Sequence, residues 1–114
     1  MLAQADLVVQ FYLAKAEYVR GNFLQAAALI EQLMATSAND STGLHLLRGN
    51  VSLSQRTFAQ ATVAFEQAST LDAACATAFA GLEIAHRCQG DDEAARKALT
   101  RAATLGPRGR GYMD

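Results

Sequence analysis

The residue types that could do chemistry are few in this chain: two histidines, two cysteines and one run of three carboxylates. His86 and Cys88, with Cys75 nearby, suggest a zinc site by composition alone. Residues two apart on a helix point away from each other, so this spacing does not converge on an ion. It reads as a partly exposed imidazole and two packed thiols, with His45 in a different part of the chain. Asp91-Asp92-Glu93 has the look of an acid or metal cluster, but three carboxylates at a helix start are accounted for by capping and the helix dipole. The segment Gly106-Pro107-Arg108-Gly109-Arg110-Gly111 has neither a strand before it nor a helix after it, so it is not a phosphate loop. The expectation is a protein without catalytic residues, metal or cofactor, and not an enzyme.

The elements that carry these residues must then be helices. The chain has 114 residues, of which 51% are hydrophobic and 18% charged, with one proline and a net charge of −1. A chain of this length buries roughly 65% of its unfolded surface, enough for a core without staples. The hydrophobic fraction excludes intrinsic disorder, and the balance of 10 basic and 11 acidic residues excludes a general affinity for nucleic acid. Much of the hydrophobic content is alanine, which favours helices and close approach. The N-terminus lacks the basic segment of a signal peptide, and Leu7 to Leu13 is too short to span a bilayer. Cys75 and Cys88 have no framework spacing, so the reading is a cytoplasmic protein with reduced thiols and no membrane insertion.

Three segments repeat: Gly21-Asn22-Phe23-Leu24-Gln25-Ala26-Ala27, Arg56-Thr57-Phe58-Ala59-Gln60-Ala61-Thr62 and Gly90-Asp91-Asp92-Glu93-Ala94-Ala95-Arg96. Their starts lie 35 and 34 residues apart. Each reaches an alanine (Ala26, Ala61, Ala95), then a large apolar residue four positions on (Ile30, Phe65, Leu99), then Leu33, Ala68 or Ala102. Spacings of four and three share one helical face. The preceding stretches behave alike, so the spacing predicts six helices in three antiparallel pairs. The first helices fall near 4–19, 42–55 and 74–88, the second near 23–36, 58–70 and 92–105. Thr57 with Gln60 forms a capping-box pattern, and Asn22 with Gln25 a related one. Asp40-Ser41 and Asp72 can cap the turns between pairs. Gly106-Pro107 should stop the last helix, leaving 106–114 as a flexible tail.

At these residues the sequence resembles the tetratricopeptide repeat, a helix–turn–helix unit of roughly 34 residues. The resemblance covers the domain 1–105, with repeats at about 6–39, 41–74 and 75–107. It rests on Gly49, Ala61 and Phe65 in the second repeat, on Phe79, Leu82, Ala95, Leu99 and Pro107 in the third, and on Leu13, Ala14, Gly21, Phe23, Ala26 and Ile30 in the first. Gln10, His45 and Phe79 hold the family's tryptophan place. Arg48 replaces the leucine before Gly49, and Glu83 takes the glycine place of the third repeat. The aromatic place carries Glu17, Ser52 and His86.

The resemblance implies an all-α superhelix whose concave groove is lined by the first helices and accepts a peptide or partner helix. The implied groove residues are Phe11, Lys15 and Tyr18, then Leu46, Asn50 and Leu53, then Ala80, Ile84 and Arg87. Such a groove suits an amphipathic helix or an apolar segment, with Lys15 and Arg87 favouring some acidic character. Of the carboxylate clamp by which some members hold the acidic tails of heat-shock chaperones, only Asn50 stands in place. Small bacterial helical-repeat proteins include secretion chaperones and assembly scaffolds, and the expected role is a protein-binding scaffold or adaptor of that kind. The alternative is a structural segment of a larger assembly. The first helix carries more apolar residues than one packing stripe needs, and self-association through Val8 and Tyr12, a preceding repeat or the groove ligand would each supply the cover.

Overall fold

The computed structural model describes residues 4–36 and 41–110, the side chains of 6–36 and 41–105 among them. Among these residues every regular element is a helix: α1 (Gln4–Val19), α2 (Phe23–Met34), α3 (Thr42–Ser54), α4 (Phe58–Leu71), α5 (Ala76–Cys88) and α6 (Asp92–Arg110). Successive helices pack as hairpins α1/α2, α3/α4 and α5/α6, and α4 also lies against α5. The first helices of successive pairs touch one another, α1 to α3 and α3 to α5. The joint between α2 and α3 is much the lighter of the two between pairs.

The hairpin turns are one motif used three times. Gly21, Arg56 and Gly90 all take positive φ, at 84°, 63° and 81°. Each donates its amide three residues back, to the carbonyls of Tyr18, Leu53 and Arg87 at 3.0 to 3.1 Å. The next residue reaches five back: Asn22 to Glu17, Thr57 to Ser52 and Asp91 to His86, at 2.8 to 2.9 Å. This paired pattern is the Schellman ending, which satisfies carbonyls left open by the helix terminus. Glycine enters the left-handed region without steric cost, whereas Arg56 has a Cβ that opposes it by roughly 1–2 kcal/mol. The repeat seen in the sequence is therefore present in the backbone at the same spacings.

Capping follows the sequence in part. Ser41 Oγ accepts from the Leu44 amide at 3.1 Å, and Asp91 Oδ1 from the Ala94 amide at 3.1 Å. Asp72 Oδ1 accepts from the Ala74 amide at 3.0 Å and closes the turn between α4 and α5. The expected capping box at Thr57 is not formed. The Thr57 hydroxyl donates instead to the Ser52 carbonyl at 3.2 Å, drawn there by the turn that also directs its amide to that oxygen. Asn22 likewise donates through Nδ2 to Glu17 Oε1 at 2.6 Å. Asp40 lies outside the described residues.

The last helix also departs from expectation, running through Gly106 and Pro107 to Arg110. Proline removes one bond, that to the Ala103 carbonyl, and glycine adds backbone entropy; neither forbids helical angles. Residues 106–110 of the expected tail are thus helical, and 111–114 lie outside the described residues.

Two clusters make up the core. Leu7, Ile30, Leu33, Leu44, Leu47 and Val51 fill the first, and Phe65, Leu82, Ala85 and Ala98 join Ala61 in the second. Ala14, Ala26, Ala61 and Ala68 are fully buried, small side chains where helices come close. Phe65 sits between Gly49 of α3 and Gly81 of α5: a Cβ added at either would stand 2.6 or 2.5 Å from its ring. Gly81 of the third pair thus receives the ring of Phe65, while Glu83, in the glycine place of the repeat pattern, is only half-buried. Positions 30, 65 and 99 share a repeat register, yet Ile30 and Phe65 are enclosed and Leu99 is 54% exposed. No following pair lies over α6 among the described residues.

Candidate functional site

Between α1 and α3 the surface holds a recess of about 280 Å³. Five of the nine residues expected to line the groove border it: Phe11, Lys15 and Tyr18 from α1, and Leu46 and Asn50 from α3. The reason is spacing. Positions 11, 15 and 18 share one face of α1, and 46 and 50 one face of α3, and these faces converge where the two first helices touch. Phe11 and Tyr18 each have one side on the first core cluster, and Tyr18 lies at a tilt to Phe23 with ring centroids 5.9 Å apart. Gly43 leaves room for Phe11, whose ring tip would lie 3.6 Å from a Cβ there.

The other expected groove residues lie elsewhere. Leu53 is half-buried and packs against the second core cluster, as Leu46 also does on its inner side. Ala80, Ile84 and Arg87 are exposed on α5 and do not border the recess. The third pair reaches it through Thr77 instead, which precedes Ala80 on the same helical face. Val19, Gly43 and Leu47 complete the lining. Thr77 was detectable in the sequence by continuing the 80, 84, 87 face back by three. Gly43 carries no such signal, because a missing side chain shows as a wall only once its neighbours are placed.

Charge in the groove is also less than the sequence suggests. Arg87 is held by Glu83 in a two-pronged pair, Nε to Oε2 at 2.7 Å and Nη2 to Oε1 at 2.8 Å. The hydrogen bond from Arg87 draws the Glu83 carboxyl below its ordinary pKa, and Glu83 in turn raises that of Arg87. Lys15 is exposed at the border of the recess, and Asn50, half-buried, borders it from α3. The arrangement offers an apolar socket with one ammonium and one carboxamide at its edge, suited to an apolar anchor that has a carboxylate or carbonyl close by.

The groups first considered for chemistry remain apart. Cys75 and Cys88 flank opposite ends of α5, roughly 20 Å apart along the axis. His45 is buried in α3, and His86 sits in the crevice between α5 and α6 beside Phe79 and Arg101. Among the described residues no three His, Cys, Asp or Glu side chains gather to hold a metal ion, and no helix is long and apolar enough to cross a membrane. No protein-family model and no curated protein matches the chain.

Proposed function

We propose that the chain is a three-repeat tetratricopeptide-like scaffold that binds a partner protein in the groove between its first helices. The observation that supports this reading is the recess where Phe11, Tyr18 and Leu46 meet beside Lys15 and Asn50. Aromatic and aliphatic walls give an apolar anchor somewhere to leave water, and the two polar groups fix its orientation. The ligand is an amphipathic helix or apolar segment with a carboxylate near its anchor. On this reading the three pairs continue the slight rotation of a superhelix, the chain works in the cytoplasm without cofactor, and its role is adaptor-like binding rather than catalysis.

The test is selection of random 16-residue peptides on the full chain. Binders should carry a large apolar residue next to an acidic one. They should lose binding with Lys15→Glu or Tyr18→Ala, while circular dichroism shows both variants folded. Selected peptides that bind both variants unchanged would remove the groove from the account.

A second reading, a structural or self-associating segment of a larger assembly, is favoured by a different surface. The outer side of α1 leaves Val8, Val9, Tyr12, Leu13 and Val19 largely in water.

A further inference from the structure

We propose that the outer face of α1 is the contact of a symmetric dimer, in which the α1 of a second copy lies antiparallel across it. This deepens the self-association reading and does not depend on the groove. At about 100° per residue, Val9, Tyr12, Ala16 and Val19 form one stripe on the solvent side of α1, and all four are exposed. Tyr12 is 60% and Val19 75% exposed. Scattered apolar residues on a surface need no partner, but a contiguous stripe along a whole helix does.

Charge determines the occupant and its direction. Asp6, Leu13 and Arg20 follow one another at intervals of seven along one edge of the stripe, and Asp6 and Arg20 are both exposed. The edge is therefore negative at one end and positive at the other. In a parallel pair this edge would meet the partner's opposite edge, where Arg20 comes near the partner's Lys15 and Asp6 finds no cation. In an antiparallel pair like edges meet head to tail, so each Asp6 lies within reach of the partner's Arg20 and Leu13 lies near the partner's Leu13. Such a two-fold contact is self-complementary, as a homodimer requires.

The same register also satisfies shape. It sets Val9 against the partner's Val19 and Tyr12 over the partner's Ala16. Ala16 is where the surface is hollow: a shallow recess of about 440 Å³ lies among Tyr12, Lys15, Ala16, Val19 and Arg20. The small side chain makes the hole and the tyrosine of the other copy is the knob, twice over by symmetry. Lys15, on the opposite edge, comes near the partner's Lys15, a like-charge contact that limits affinity and keeps the dimer reversible.

Sedimentation velocity on the full chain and its charge-swap variants tests the arrangement. The chain should dimerise, and Asp6→Arg or Arg20→Asp should each weaken it on the order of tenfold, because two favourable pairs become two repulsive ones. Mixed together, the two variants should form a heterodimer at least as strong as the original, since every pair is again of opposite sign. Tyr12→Glu, at an exposed position, should leave the helical spectrum intact and dissociate the dimer. A chain that stays monomeric at millimolar concentration overturns both this proposal and the self-association reading. A dimer indifferent to the swaps, or a mixture no tighter than its components, overturns the antiparallel contact alone.

Discussion

α1 and α6 are the first and last helices among the described residues, yet α1 leaves Val9, Tyr12 and Val19 to water where α6 presents Glu93, Arg96, Lys97 and Thr100, with Leu99 among them. Their inner faces do the same work, burying Leu7 and Ala14 on one side and Ala95 and Ala98 on the other. The difference lies wholly in the outward residues. A stack of hairpins has no closing edge of its own, so its terminal faces must be either polar or covered. α6 is dressed as a cap, and Glu93 even reaches Lys97 at 3.8 Å one turn on. α1 is dressed as an interior helix.

The contrast can be sharpened by asking what coverage is worth at one repeat position. Phe65→Ala should cost about 4 kcal/mol in urea unfolding, since it empties a closed site, whereas Leu99→Ala should cost less than about 1 kcal/mol. Equal losses would mean that burial does not distinguish this position of the second pair from that of the third. The contrast can also be broken by redressing the cap. Arg96→Leu with Thr100→Leu gives α6 an apolar outer stripe, so the chain should form species larger than a dimer in sedimentation, with helix content unchanged. Loss of all association in that variant would contradict the role assigned to the α1 face.

The smallest effect concerns the turns. The two that adjoin the end helices use Gly21 and Gly90, and the middle one uses Arg56 in the same left-handed conformation. Arg56→Gly should raise stability by about 1 kcal/mol, while Gly21→Ala should lower it by a similar amount, both read from urea midpoints. If Arg56→Gly instead destabilises the chain, the packing of Arg56 over Phe58, 5.5 Å from the ring centroid, outweighs the backbone strain.

Helix placement was legible because the signals for it are local. Turn-type residues at 21, 56 and 90 and the apolar spacing between them fix where helices start, stop and face. What failed was competition among several plausible partners for one group. Thr57 has both a capping position ahead of it and a carbonyl behind it, and the turn geometry favours the carbonyl. Gly106-Pro107 looks like a stop, but each residue only weakens a helix. The groove was half legible: the faces of α1 and α3 converge as their periodicity implies, and Thr77 replaces Ala80, Ile84 and Arg87. Which residues along the α5 face reach the recess depends on how the third pair is set against the second, and no short-range pattern encodes that.

One feature of that setting is the Phe65 ring held between Gly49 and Gly81. It meets both helices at glycine, so how closely α3 and α5 approach α4 there is limited by a phenyl ring. The ring is in effect a shim. Leucine at position 65 would leave a slot of a different width, and the second and third hairpins would have to re-seat at a new angle. Since Thr77 rides on the third hairpin while Leu46 and Asn50 ride on the second, a change in that ring would carry through to the edge of the recess they share.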